Sequence, residues 1–155
     1  MESTTEIKVL YVDDELHNLT SFKAAFRRHF TVFTSLSVDE AIPILNNETI
    51  HVLITDQRMP GKVGTELLAF AVEKFPYQMR VLLTGFSDID ALKDAVNRGQ
   101  IYKYLQKPWN DEEIISTISR AYQIQELREE QQKLNENLAL TNEQLEFILR
   151  QKLLS

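Results

Sequence analysis

The sequence contains no cysteine, so disulfide bonds, thiolate catalysis and thiolate metal ligands are all excluded. Glycine and proline are scarce, with four of each among 155 residues, and none of them lies beyond Pro108. Because these residues are the strongest local helix breakers, residues 109–155 are predicted to form one uninterrupted helix. The change in composition near Pro108 therefore separates a globular part from a helical one.

Long apolar runs and basic clusters are also missing. No run of about 18 apolar residues occurs, so no membrane-spanning helix is predicted, and the polar residues 1–6 are unlike a signal peptide. The net charge is −6 without a Lys/Arg cluster, which argues against direct nucleic-acid binding. A hydrophobic content of 43% is ordinary for a globular protein. Together with the absence of cysteine, it favours a cytoplasmic location.

Short apolar segments alternate with longer amphipathic ones up to residue 108. The short segments are rich in β-branched and aromatic residues, which is typical of buried strands. They lie at residues 7–12, 31–34, 51–55, 80–83 and 101–105. Five helices are predicted to follow the strands in turn, the fourth between an N-cap at Ser87 and Gly99. This alternation predicts a doubly wound α/β fold, in which helices cover both faces of a five-stranded parallel sheet.

Chemically capable side chains stand at the ends of four predicted strands. Asp13 and Asp14 end the first, Asp56 the third and Thr84 the fourth, while Lys107 follows the fifth. Because the carboxyl ends of parallel strands meet at one edge, these five side chains are expected to converge there. Clustered carboxylates suit Mg²⁺, and a carboxylate can also attack phosphorus as a nucleophile. A hydroxyl and an ammonium group can bind phosphoryl oxygens.

Four motifs, in order and in register over about residues 6–122, resemble the response-regulator receiver domain. They are Val12-Asp13-Asp14-Glu15, Asp56-Gln57-Arg58-Met59-Pro60-Gly61 with Gly64-Thr65-Glu66-Leu67-Leu68, Leu83-Thr84-Gly85, and Tyr104-Leu105-Gln106-Lys107-Pro108-Trp109. The resemblance implies a flavodoxin-like sheet in the order 2-1-3-4-5. It also implies a receiver domain at residues 1–122, a histidine kinase or phosphotransfer protein as phosphodonor, and Mg²⁺ as cofactor.

The resemblance implies a role for each site residue. Asp56 would be the phosphoacceptor, and Mg²⁺ would be held by Asp13, Asp14, Asp56 and the backbone carbonyl of Arg58.

Three further residues would act on the phosphoryl group or respond to it. Lys107 and Thr84 would contact the phosphoryl oxygens, and Thr84 with Tyr104 would form the switch that alters the surface. The domain would catalyse its own phosphorylation and dephosphorylation without being an enzyme in the usual sense. Trp109 is expected to pack against the last helix rather than to belong to the output surface.

Residues 123–155 are predicted to be a helical extension that links the receiver to an output domain. Six apolar residues in this region recur at heptad a and d positions. They are Ile124, Leu127, Leu134, Leu138, Leu145 and Ile148, and the polar residues Gln131, Thr141 and Lys152 share the same seam. A solvated linker is one interpretation. The persistence of leucine favours a parallel coiled coil, and hence a homodimer.

Two other functions fit parts of the sequence. A receiver-like scaffold that dimerises without taking phosphate is disfavoured because all five predicted site residues are present. A hydrolase that uses Asp56 against an external phosphoester would need a cap domain or a second general acid, for which the sequence has no signal. His17, His29 and His51 lack the spacing of metal ligands.

Overall fold

The computed structural model describes residues 6–85, 89–98 and 100–154. Within them the chain alternates between strand and helix throughout. The strands are Lys8–Val12 (β1), Thr31–Ser35 (β2), Val52–Asp56 (β3), Met79–Thr84 (β4) and Lys103–Gln106 (β5). The helices are Leu16–Phe26 (α1), Val38–Asn47 (α2), Gly64–Lys74 (α3), Ile89–Asn97 (α4) and Asp111–Leu154 (α5).

All strand pairs are parallel, and the sheet order is β2-β1-β3-β4-β5. This confirms the predicted doubly wound α/β fold with its 2-1-3-4-5 order. The central strands β3 and β4 are buried along their whole length, as expected for strands that are covered on both faces.

Two apolar clusters, one on each face, hold the helices to the sheet. Alternate residues of β1 such as Val9 and Tyr11 pack with α1 and the first turns of α5. Their neighbours, among them Leu10, pack with α2 and α3. The strand period of two therefore divides one run of apolar residues between two cores.

Most element boundaries lie within two residues of those predicted. Ser37 was not predicted as a cap, yet its hydroxyl accepts a hydrogen bond from the Glu40 N–H and so begins α2. Ser87 and Gly99, the predicted ends of the fourth helix, lie outside the described residues.

The last helix is continuous over 44 residues, as the absence of glycine and proline predicts. Its first turns bury Ile114, Ile118 and Ala121 against the sheet. None of the helices in the described part of the chain has an apolar stretch long enough to cross a lipid bilayer.

Candidate functional site

Three carboxylates meet where β1 and β3 end side by side. The register pairs Val12 with Thr55, so Asp13 and Asp56 are the next residues along neighbouring strands. One oxygen from each of Asp13, Asp14 and Asp56 lies within 4.8 Å of the others. Asp13 is fully buried and Asp56 nearly so, whereas Asp14 is exposed. Within the described residues, the cluster is therefore open to solvent through Asp14.

The Asp13 carboxylate is held by four donors. Its Oδ2 accepts hydrogen bonds from the Tyr11 hydroxyl at 2.7 Å, the Asn18 amide at 3.1 Å and Lys107 Nζ at 2.9 Å. Its Oδ1 accepts from the Glu15 N–H at 3.0 Å. Burial by itself would raise the pKa of Asp13, but these bonds outweigh it and hold the pKa below its ordinary value. Asp13 is thus a buried side chain that stays anionic.

Lys107 joins the two buried carboxylates. Its Nζ lies 2.9 Å from Asp13 Oδ2 and 3.1 Å from Asp56 Oδ2. The backbone N–H of Lys107 donates a hydrogen bond to the Thr84 carbonyl at 3.0 Å, which joins the segment after β5 to the end of β4. Burial opposes the charge of Lys107, but Asp13 and Asp56 overcome that effect and raise the pKa of its ammonium group. The amine is therefore a permanent positive charge between the two acids.

Asp56 differs from Asp13 although both contact Lys107. Its Oδ1 accepts one hydrogen bond from the Gln57 N–H at 2.9 Å. Burial raises the pKa of Asp56, and the nearby Asp13 charge adds to this, while Lys107 draws it downwards. The net result is a pKa above the ordinary value. Among the described residues, Asp56 thus has fewer hydrogen-bond donors than Asp13, which leaves more of its acceptor capacity for an incoming group.

The donor set fits a hard divalent cation. Ligand oxygens around Mg²⁺, at about 2.1 Å from the ion, stand about 3 Å apart when adjacent and about 4 Å apart when opposite. Oxygens that already lie within 4.8 Å of one another need only small adjustments to share one ion. The exposed Asp14 leaves the outer side accessible to water and to a phosphoryl oxygen.

Thr84 and Tyr104 lie on adjacent strands. Thr84 ends β4, is buried, and its hydroxyl donates to the Gly85 carbonyl at 3.3 Å. Tyr104 pairs with Leu82, two residues before Thr84, so both side chains lie on the same face of the sheet. Tyr104 is 47% exposed. Arg58 follows β3 by two residues, and the role of its carbonyl as a metal ligand stays a prediction.

Tyr11 and Asn18 were not among the predicted site residues, yet both donate to Asp13. Burial and the adjacent Asp13 raise the pKa of the Tyr11 hydroxyl, so it remains a donor. Since alternate strand residues share a face, the spacing of Tyr11 and Asp13 was a usable signal. Asn18 reaches back from α1, and only the strand-to-helix turn brings it close.

Trp109 packs on the aromatic side chains behind the site. Its ring centroid lies 5.9 Å from that of Tyr11 and 5.7 Å from that of Phe22, both at edge-on angles. The packing interpretation thus agrees with its position, but its aromatic neighbours belong to β1 and α1.

The predicted heptad residues do not share one environment. Ile124 is half-buried and packs against the receiver core. The other five, Leu127, Leu134, Leu138, Leu145 and Ile148, are 52–65% exposed. Gln125 is buried, and Arg128 Nη1 lies 3.8 Å from Met79 Sδ. The helix therefore stays packed on the sheet for two turns beyond Tyr122.

A doubly wound sheet whose carboxyl edge carries three acids and a bridging lysine defines a class of signalling domain. Residues 9–119 match the response regulator receiver domain family. The chain is 33% identical, over 99% of its length, to the hydrogenase transcriptional regulatory protein HoxA of Cupriavidus necator, of which it covers 32%. It therefore belongs to the receiver domains of two-component systems, as the sequence motifs predicted.

Solved structures agree with this assignment. A structure described as adenylate cyclase from Rhodopirellula baltica matches with a TM-score of 0.80 and 30% identity, over 84% of this chain and 98% of the other. A response regulator receiver domain protein from Clostridium thermocellum matches with a TM-score of 0.74 and 30% identity, over 78% and 98% of the two chains. The chain spans about a third or less of the curated relatives it matches. It is a signalling domain of this family and not a classical enzyme.

Proposed function

We propose that Asp56 accepts a phosphoryl group from the phosphohistidine of a histidine kinase or phosphotransfer protein. One observation carries the proposal: Asp13, Asp14 and Asp56 present oxygens within 4.8 Å of one another, and Lys107 bridges the two buried acids. Mg²⁺ would be held by these carboxylates and the Arg58 carbonyl.

In the transfer, a carboxylate oxygen of Asp56 forms a bond to phosphorus as the bond from phosphorus to the imidazole nitrogen breaks. The imidazole leaves with the electron pair. The bound cation would supply charge neutralisation at the phosphoryl oxygens. Lys107 is already 3.1 Å from Asp56, so its ammonium can pair with one of these oxygens, and the Thr84 hydroxyl can donate to another.

The phosphorylated state would be communicated through β4 and β5. If Thr84 turns towards the phosphoryl group, it vacates space on the face that it shares with Tyr104, and the half-exposed tyrosine ring can move inwards. This changes the surface at β5, the strand that precedes α5 in the chain. We further propose that α5 pairs with that of a second copy in a parallel coiled coil, so that the signal acts on a homodimer.

The process that the receiver regulates depends on the part of the protein that α5 controls. HoxA is named a transcriptional regulatory protein, and this chain matches only 32% of it. We propose that the receiver regulates a transcriptional output through α5, without itself contacting nucleic acid, since its net charge is −6.

The direct test is incubation with Mg²⁺ and acetyl phosphate, followed by intact-mass measurement. The expected product carries one phosphoryl group per chain, and Asp56→Asn should carry none. Lys107→Met should be phosphorylated about 100-fold more slowly, because a charge that stabilises the transferring group is removed. The exposed Lys62, which pairs with Asp39 at 2.8 Å, provides the matched control Lys62→Met.

The alternatives give different results. A scaffold that takes no phosphate would show no mass change with acetyl phosphate and no response to beryllofluoride. A hydrolase would release many equivalents of phosphate from an external phosphoester. Modification that persists in Asp56→Asn would place the acceptor elsewhere and contradict the proposal.

A further inference from the structure

The end of α5 exposes more apolar surface than a two-stranded coiled coil covers. Nine large apolar side chains between residues 131 and 154 are at least 52% exposed. Four of them occupy the a and d positions: Leu134, Leu138, Leu145 and Ile148, which we call the first stripe. Pairing through the first stripe alone would leave about as many large apolar side chains in water as it buries.

Three of the remaining side chains form a second stripe. Leu140, Phe147 and Leu154 are spaced by seven residues, all at heptad position c, and are 56%, 61% and 84% exposed. The g residues beside them complete this face. At about 3.5 residues per turn, the centre of the c and g face lies roughly 100° around the helix from the centre of the first stripe. A dimer therefore leaves the second stripe uncovered.

Charge lies mostly away from the two stripes, although Lys133 is at a c position, Glu146 at b and Lys152 at a. Every f position in this region is charged: Glu136, Glu143 and Arg150. The e and g positions, which usually carry Glu or Lys in two-stranded coils, hold only uncharged residues. These are Asn135, Asn137, Asn142, Gln144, Leu149 and Gln151. Arg150 pairs with Glu146 of its own helix at 3.7 Å. Between residues 134 and 151 the a, c, d, e and g positions are thus all uncharged, and this face is wide enough to contact more than one neighbour.

The residues of the first stripe also disfavour a two-stranded coil. Both large a residues, Leu138 and Leu145, are leucine, and the two large d residues are Leu134 and Ile148. Leucine at a with isoleucine at d shifts the preference from two strands towards three or four, whereas β-branched residues at a favour two. In a four-helix bundle each helix has two neighbours, roughly at right angles. This matches the separation of the two stripes.

We propose that residues 131–154 assemble four copies of this chain into a parallel four-helix bundle. The first stripe of each helix contacts one neighbour and the second stripe contacts the other. The proposal rests on the pairing of α5 helices put forward above and extends it, because two dimers join through their second stripes. Four receiver domains would then be held around one helical stalk.

The test is the mass of the full chain in solution by light scattering, with and without beryllofluoride and Mg²⁺. The expected species in at least one state has the mass of four chains. The double variant Leu140→Gln/Phe147→Gln should reduce it to a dimer, because only the second stripe is lost. Glu143→Gln, on the charged face, is the matched control and should leave the tetramer intact. Circular dichroism would verify that each variant keeps its helix.

The possible outcomes separate the two proposals. A wild-type chain that is dimeric in both states would overturn the tetramer but leave the pairing of α5 helices intact. The finding that some other partner covers the second stripe would have the same consequence. A wild-type chain that is monomeric in both states would overturn both the tetramer and the pairing of α5 helices. A mass of three or five chains would reject the count of four. A double variant that stays tetrameric, or that falls to monomers, would show that the two stripes are not separate interfaces.

Discussion

Single residues at the carboxyl edge hold a charge where burial opposes it. Asp13 has no solvent contact, yet Tyr11, Asn18, Glu15 and Lys107 satisfy its oxygens. A buried charge without such partners would cost several kcal/mol. In the described part of the chain the nearby Asp56 has fewer donors, and its pKa is raised rather than lowered. Two acids on neighbouring strands thereby have pKa values that are shifted in opposite directions.

Gly64 is required by a close backbone contact with the end of β3. A Cβ at this position would lie 2.2 Å from the Asp56 carbonyl oxygen, and neither backbone can yield without disturbing the other. Gly64→Ala should lower the free energy of unfolding by about 1–3 kcal/mol, as overpacking does. Gly85 has open space around it, so Gly85→Ala should change the value by less than about 0.5 kcal/mol. If urea denaturation showed that Gly64→Ala and Gly85→Ala lower the free energy of unfolding equally, this explanation would be contradicted.

His51 makes stability depend on pH at the edge opposite the acids. Its Nδ1 accepts the Lys8 N–H at 2.9 Å, and its ring packs on Tyr122 with centroids 5.1 Å apart. Burial and Lys8 lower the pKa of His51, although Glu129, Glu126 and Glu6 act in the opposite direction. Since the unfolded chain binds the proton more readily, protonation below about pH 6.5 favours unfolding.

The free energy of unfolding should therefore fall as the pH drops below about 6.5, by at most about 1.4 kcal/mol per pH unit from this residue. His51→Asn can keep an acceptor for Lys8 but cannot titrate. The difference in stability between wild type and His51→Asn, measured by urea unfolding at pH 7.5 and pH 5.5, should shift against the wild type at the lower pH. A difference that does not change with pH would refute the assignment.

At the scale of elements, Arg80 joins two connections of the sheet. It is buried, and its Nε donates to the Gln100 carbonyl at 2.9 Å. Its Nη1 donates to the Gln78 carbonyl at 2.6 Å and the Phe75 carbonyl at 3.3 Å. Burial, with a smaller effect from Arg128, lowers the pKa of Arg80. The α3–β4 and α4–β5 connections are thus fastened to one side chain on β4.

Arg80→Met should lower the free energy of unfolding by about 3 kcal/mol, because charge-assisted hydrogen bonds are lost and buried carbonyls are left unpaired. Arg98 offers a comparison, since its guanidinium pairs with Asp94 at 3.2 Å on the surface. Arg98→Met should cost less than about 0.5 kcal/mol. Chemical denaturation of both variants measures these free energies of unfolding. A loss for Arg80→Met as small as that for Arg98→Met would mean that the two connections do not depend on Arg80.

At the scale of the whole molecule, the last contacts between α5 and the rest of the receiver define where the domain ends. Ile124 and Gln125 pack against the domain, Arg128 reaches Met79, and Glu129 lies close enough to His51 to affect its pKa. The sequence placed the domain boundary at residue 122, because the heptad pattern begins next. We propose that the receiver extends to about residue 130.

Two shortened chains test this boundary. A chain of residues 1–130 should be monomeric, with a free energy of unfolding within about 1 kcal/mol of the receiver in the full chain. A chain of residues 1–122 loses the contacts that α5 makes beyond Tyr122, including those of Ile124 and Gln125, and should be less stable by about 2–4 kcal/mol. Light scattering and urea denaturation supply both measurements. Equal stabilities would return the boundary to residue 122.

The sequence by itself determined the fold, because apolar period and breaker residues are local properties that repeat along the chain. Alternating strands and helices predicted the parallel sheet, and parallel strands place their ends at one edge, so Asp13, Asp56 and Lys107 could be expected together. The uninterrupted α5 followed for the same reason, since a helix with no glycine or proline has nothing to break it.

Only the tertiary structure decided which atoms meet. That Lys107 bridges two acids, that Tyr11 and Asn18 complete the shell of Asp13, and that Arg80 binds three carbonyls depends on distances between segments far apart in sequence. The same holds for Ile124, whose heptad position predicts a coiled-coil seam but whose side chain packs against the receiver core. A local pattern specifies which face of a helix is apolar. What covers that face depends on the rest of the fold.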